Sequence, residues 1–240
     1  MRVTKQIKIA VLIFANSSQE EARYKSIANS CSLFDKLTAA TIKTVENSKL
    51  PFFHISEKHQ IGVTFGERFA NAIQSVFEKG YEHVITIGND APQLKVSHLH
   101  EACNQLQSKK IVLGPTNDGG FYLMGLHKSQ FDASTFKDLA WQTSNLTKQL
   151  CRLISKQAVK IVFLERLFDI DNTQDIKSIV GYLNVLPNKL LILLLRTLGF
   201  EKEIKATTSS IYSSNYFTSL HNKGSPILLQ SKWPKALLLF

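Results

Sequence analysis

The segment Ile87-Gly88-Asn89-Asp90-Ala91-Pro92 sets a carboxylate at the carboxyl end of an apolar run, between a glycine and a proline. In open α/β sheets, ligands collect at the carboxyl ends of the strands. An aspartate fixed there can hold Mg2+ or Mn2+ by one oxygen and leave other positions to phosphate oxygens and water. Gly88 and Asn89 beside it are candidate substrate contacts. The competing reading is a turn whose aspartate caps the next helix, and the local sequence leaves both open.

Four further segments carry candidate chemistry. Gly114-Pro115-Thr116-Asn117-Asp118-Gly119-Gly120 joins two apolar runs. Its paired glycines let a ligand lie against bare backbone, although an Asp-Gly hairpin turn has the same composition. Gly62-Val63-Thr64-Phe65-Gly66-Glu67-Arg68 opens an amphipathic stretch. A helix start there would offer N–H groups to an anion, near Gly66, and Arg68 could add a bidentate phosphate contact. The alternative is an ordinary capped helix with Glu67 facing the dipole. Asp169-Ile170-Asp171-Asn172, with Asp175 beyond, can point two carboxylates at one cation or simply cap a helix. Trp141-Gln142-Thr143 offers a ring that could stack on a base or sugar, or that belongs to the core. The seven histidines show no ligand spacing, and Cys151 falls on an expected helix as a buried, inert thiol.

These segments need strands to deliver them. The near-continuous apolar run 7–15 reads as a strand buried on both faces. Asn16-Ser17-Ser18 can cap a helix over 19–46, broken near 29–32. The pattern then predicts strand 51–55, helix 65–78 stopped by Gly80, strand 83–87, helix 96–106, strands 111–113 and 120–126, helix 145–156, strand 159–164, a loop or short strand over 168–171, and a helix from 173 to 183. Strand–helix alternation of this kind predicts a three-layer α/β/α sandwich around a mainly parallel sheet. A last helix, 187–198, starts at Pro187 and ends at Gly199. Residues 205–232 are rich in Ser, Thr and Asn. The expected organisation is a domain over 1–184 and a helical appendage with a tail over 185–240. The appendage could serve a membrane surface or a partner.

Bulk properties narrow the class. An apolar fraction of 44% in 240 residues supports a sizeable core. The net charge of +10 suits an anionic ligand. The basic residues are scattered rather than interleaved with aromatics, so nucleic acid is not an expected partner. Three distant cysteines without a C-x-x-C suggest neither disulfide framework nor zinc site, and point to a reducing cytoplasmic setting. The run 7–15 lacks a small-x-small cleavage site, and 190–195 stops at Arg196, far short of the roughly 20 residues that span a bilayer.

Taken in order, Gln60-Ile61-Gly62 to Arg68, Ile87 to Pro92, Leu113 to Gly120 with Tyr122-Leu123-Met124-Gly125-Leu126, Trp141-Gln142-Thr143 and Asp169-Ile170-Asp171 resemble the radical-SAM/selenodomain-associated transferase family. This is a group of the glycosyltransferase-A, or nucleotide-diphospho-sugar transferase, superfamily. The resemblance covers about residues 6–182. It implies a mixed sheet of the seven-stranded type, a divalent metal, Mg2+ or Mn2+, and a nucleoside triphosphate or nucleotide sugar passed to an acceptor it does not name. It implies Asp90 as a metal ligand, Asp169 and Asp171 as further ligands, and Asp118 with Gly119 and Gly120 lining the sugar or acceptor pocket, with Asp118 orienting the acceptor or acting as base. Relatives often grip phosphates with a Gly-x-x-Lys-Thr-Arg loop after the first strand. Here residues 16–25 read Asn-Ser-Ser-Gln-Glu-Glu-Ala-Arg-Tyr-Lys, without the glycine, which leaves Arg23 or Lys25 for that task. Thr64 also stands where many relatives have Asp. The implied function is glycosyl or nucleotidyl transfer; the alternative is a catalytically impaired nucleotide- or partner-binding protein on the same fold. No oligomeric state follows.

Overall fold

The computed structural model describes residues 8–108, 110–155, 159–180 and 188–199. The chain alternates strands and helices as its pattern predicts. Strand β1 (Ile9–Phe14) is followed by helices α1 (Ser18–Tyr24) and α2 (Ser30–Ser48), then β2 (Phe52–Ile55), α3 (Phe65–Glu78), β3 (His83–Ile87) and α4 (Val96–Gln107). Strands β4 (Ile111–Pro115) and β5 (Phe121–His127) come next. They precede α5 (Ala133–Lys137), α6 (Leu146–Ser155), β6 (Ile161–Phe163), α7 (Thr173–Val180) and α8 (Asn188–Thr197).

The sheet order is β2-β1-β3-β5-β4-β6. Among the described strands, only β5 runs antiparallel to its neighbours. Alternate residues of β1 face opposite layers. Ala10 and Leu12 join Phe69, Ile73 and Val76 of α3 and Leu150 of α6, whereas Ile9, Val11 and Ile13 pack with Val45 of α2 and Leu99 and Leu106 of α4. Burial of both faces explains why β1 is an unbroken apolar run, and β3 is buried along its whole length although it carries His83 and Thr86.

Local sequence sets the boundaries. Thr64 and Glu67 form a reciprocal capping box at the start of α3. The helix expected over 19–46 divides where Lys25 turns extended and Asn29 adopts a left-handed φ of 55°. Six strands are found among the described residues, where the resemblance implied seven. Beyond β6, residues 164–167 run beside the end of β4, but form only the isolated bridge Thr116↔Leu167. The register shift at Gly114/Pro115 lies on the other side of β4, in its pairing with β5.

Helix α8 occupies most of the expected 187–198 segment, and it lies with β1 to α7 in one compact unit, residues 1–200. The expected division at 184/185 and the polar stretch 205–232 lie outside the described residues. No helix among the described residues is long and apolar enough to cross a membrane.

Candidate functional site

The parallel strands β1, β3 and β4 bring their carboxyl ends to one edge, and the arm after β6 returns to the same edge. Backbone bonds fix that arm. Leu167 N donates to the Pro115 carbonyl at 3.1 Å, Phe168 N to Gln93 Oε1 at 3.0 Å and Ile170 N to the Asp90 carbonyl at 3.0 Å. Arg166 donates to the Thr116 carbonyl at 2.8 Å. The arm thus delivers Asp169 and Asp171 to the segment after β3 that carries Asp90. Helix capping in this region is done by other groups. Asp175 accepts from the N–H groups of Asp171 and Asn172, and Asn172 Oδ1 accepts from those of Gln174 and Asp175. Neither Asp169 nor Asp171 caps α7. Asp90 likewise caps nothing, because α4 opens with Lys95 N donating to His98 Nδ1.

Lys25 ties the edge together. Its ammonium lies 3.1 Å from Asp90 Oδ2, 2.9 Å from Asp171 Oδ1 and 3.5 Å from Glu21 Oε2, and donates to the Ile170 carbonyl at 3.0 Å. It sits 4.8 Å above the Phe34 ring, and only 14% of the side chain is exposed. Burial opposes the charge, but Asp90, Asp171 and Glu21 outweigh it and hold the ammonium well above the ordinary lysine range. Glu21 is itself raised, chiefly by burial and further by Asp90, with Lys25 pulling the other way. The sequence signal for this acid is the i,i+4 spacing of Glu21 and Lys25, which sets them on one helix face; residue-by-residue inspection of motifs misses it.

A second cluster adjoins the first. Oxygen atoms of Asp118, Asp169 and Asp171 all lie within 4.8 Å of one another. Burial, and then the charges of Asp90, Asp118 and Asp171, push the Asp169 carboxyl up to about 7. Asp118 also shapes its own turn: its Oδ1 accepts from Gly120 N at 2.9 Å and from the Thr116 hydroxyl. Gly119 has a φ of +97° and packs on the Ser144 backbone, while the Gly119 and Gly120 carbonyls accept from Thr147 at 3.2 and 3.0 Å. An all-oxygen, anionic donor set of this kind fits a hard divalent cation such as Mg2+ or Mn2+.

The remaining candidates divide. Gly88 lies against Asp90 Oδ1, and Asn89 is buried, donating to Thr38 at 2.9 Å. Arg23 projects beside the edge with its side chain 73% exposed, paired to Glu20. At the start of α3, the N–H groups of Val63 and Thr64 are taken by Glu67, and Arg68 donates to Gln60 and to the Val63 carbonyl. Gly66 is packed against the Lys137 carbonyl and the Trp141 ring. Trp141 contacts Phe65, Phe69 and Phe121, and its indole N–H donates to the Phe136 carbonyl at 2.6 Å. Thr143 donates to the Ala140 carbonyl. Gly66, Arg68, Trp141 and Thr143 are therefore joined to the α3–α5 layer rather than to the carboxylates.

A family model described as an uncharacterized protein conserved in bacteria (DUF2064) matches residues 38–143. That stretch contains Asp90 and Asp118 but neither Lys25 nor the Asp169–Asp171 pair. A solved protein from Desulfovibrio desulfuricans G20, provisionally assigned as a nucleotide-diphospho-sugar transferase, superposes with a TM-score of 0.72 at 18% identity, over 83% of this chain and 99% of its own. The fold is that of the nucleotide-diphospho-sugar transferases. A 4-diphosphocytidyl-2C-methyl-D-erythritol synthase from Anaerococcus prevotii DSM 20548 is similar at a TM-score of 0.50 and 13% identity, over 74% and 99% of the two chains. At these identities the likeness concerns the fold. No curated protein sequence matches the chain significantly.

Proposed function

We propose that this chain is a metal-dependent transferase that takes a nucleotide sugar or nucleoside triphosphate and passes a glycosyl or nucleotidyl group to an acceptor. The observation that carries the proposal is the convergence of Asp90, Asp118, Asp169 and Asp171 with Lys25 at the carboxyl edge of the sheet. The names of the two structural neighbours, one a nucleotide-diphospho-sugar transferase by provisional assignment and one a diphosphocytidyl-transfer synthase, support the nucleotide part. The ordered motif segments support the narrower link to the radical-SAM/selenodomain-associated transferases.

Asp90, Asp169 and Asp171 would hold Mg2+ or Mn2+, which when bound neutralises charge on a diphosphate. Arg23 and Lys25 supply the positive charge that phosphates meet. The Gly119–Gly120 turn would line the pocket for a sugar or acceptor, with Gly88 and the Asn89 backbone contributing from the β3 turn. Asp118 keeps Oδ1 in its turn and presents Oδ2 to orient an acceptor hydroxyl or accept its proton.

One observation favours a second reading, a catalytically impaired binding protein on the same fold. The amides near the start of α3 are taken by Glu67, and Glu20 of α1 donates its N–H to Ser17. Calorimetry with nucleoside triphosphates and nucleotide sugars, with and without Mn2+, tests the main reading. Metal-dependent binding that is lost in Asp90→Asn is the expected result. Absence of any binding to the wild type would refute it, and tight binding without turnover in the presence of candidate acceptors would select the second reading.

A further inference from the structure

Lys25 stands where a cation would stand. Four oxygens from three parts of the chain surround its ammonium within 3.5 Å: Glu21 of α1, Asp90 after β3, and the Ile170 carbonyl and Asp171 on the arm. Two of these, Asp90 and Asp171, are the carboxylates proposed above for a divalent ion. The lysine stem is confined by the Phe34 ring beneath it and by burial. This is more than a surface ion pair, whose partners stay hydrated and separate freely.

We infer that Lys25 is the resident counter-cation of the metal-free site, and that it must leave Asp90 and Asp171 before a divalent ion can occupy them. The inference rests on the metal reading above. It gives Lys25 two successive roles. In the metal-free protein its charge offsets three carboxylates and keeps the arm seated on the β3 turn. A divalent ion that takes Asp90 and Asp171 competes with the ammonium for Asp90 Oδ2 and Asp171 Oδ1 and repels its charge, so the ammonium is displaced and becomes available to an anionic group of the donor. Arg23, with its side chain in solvent and paired among the described residues to Glu20, cannot fill the first role. The sequence departure after β1 acquires a physical meaning on this view. Glu21, an acid in a segment where relatives grip phosphates, is one of the groups that hold the lysine back.

The test is Mn2+ alone, titrated against metal-free wild type, Lys25→Met and Lys25→Arg, with free Mn2+ read by electron paramagnetic resonance and folding read by thermal melts. Methionine keeps the unbranched stem over Phe34 and removes the charge. Lys25→Met is expected to bind Mn2+ at least tenfold more tightly than wild type, and Lys25→Arg no more tightly than wild type. Without metal, Lys25→Met is expected to melt below wild type, and Mn2+ is expected to restore most of the difference, which it would not do for a lysine that is merely structural. If Lys25→Met does not fold without metal, Lys25→Gln replaces it in the same titration. Equal Mn2+ affinity in wild type and the neutral variant, or weaker affinity in the variant, overturns the counter-cation role while leaving the metal reading intact. No Mn2+ binding by any of these proteins overturns the metal reading itself.

Discussion

Replacing Gly119 by alanine tests how rigidly the turn carrying Asp118 is held. Gly119 has a φ of +97°, and a Cβ built there would lie 2.4 Å from the Ser144 carbonyl oxygen and 2.8 Å from the Ser144 Cα. Both are backbone atoms, so neither can rotate away as a side chain would. Gly80, which ends α3, provides a matched control: its φ is +89°, but its Cβ would meet nothing within 4 Å. Left-handed backbone costs an alanine about 1–2 kcal/mol, offset by about 0.4–1 kcal/mol from a stiffer unfolded chain. Gly80→Ala should therefore lose about 1 kcal/mol. Overpacking adds about 1–3 kcal/mol, so Gly119→Ala should lose about 3 kcal/mol. A difference of about 2 kcal/mol corresponds to roughly 1 M in urea midpoint for a slope near 2 kcal/mol/M. Equilibrium unfolding of both variants and wild type in one urea series measures it. Equal losses would mean that Ser144 yields freely and that the Asp118 turn is not locked from that side.

Two further predictions concern parts of the fold away from the carboxylates. His83 is buried beside His127, and burial first, then the neighbouring imidazole, press its pKa down to about 4, with Glu82 opposing. The folded state prefers the neutral ring, so the stability it contributes is complete above the unfolded value near 6.5 and is lost as pH falls toward 4, by up to about 3 kcal/mol in all. Urea unfolding at pH 7.5 and pH 5 should show wild type losing about 2 kcal/mol more than His83→Leu; parallel losses would contradict it. Trp141→Phe should retain the aromatic packing and leave the Phe136 carbonyl without its indole donor, costing about 1–2 kcal/mol in thermal or urea melts. No loss would show that the backbone N–H groups of Asp138 and Leu139, which also donate to that carbonyl, suffice for it.

Much of the scaffold is legible in the sequence because local rules and tertiary packing agree there. The helix expected over 65–78 and the strand over 83–87 are found with those bounds. Thr64 and Glu67 fix one, and a β-branched segment buried on both faces fixes the other. The antiparallel placement of β5 between β3 and β4 is not legible in its composition, since Phe121–His127 is as apolar as its parallel neighbours. Helix α5 is too short for a periodic signal, and Asp132 at its N-cap is the residue that could have marked it.

The site shows a similar division. Asp90 and the Asp169–Asp171 pair are visible as acids near strand ends, but whether each caps a helix depends on Lys95, Asn172 and Asp175, whose roles appear only in three dimensions. The glycine-poor segment after β1 reads as a weakened phosphate loop. In the fold its lysine instead reaches residues far downstream, because the extended turn just past α1 carries Lys25 inward while Arg23 in the last turn of α1 faces water.

The bond from Lys25 to the Ile170 carbonyl joins positions 145 residues apart. Closing a flexible loop of that length costs roughly 4 kcal/mol of chain entropy, and contacts of such separation form slowly. The carboxylate edge is accordingly expected to form late: β1 to β5 can pair while it is still open, and it is complete only when the arm beyond β6 has docked. During synthesis the chain carries Asp90 and Asp118 well before it carries Asp169 and Asp171. Kinetic experiments should therefore find Mn2+ capacity appearing after the sheet's circular dichroism signal rather than with it.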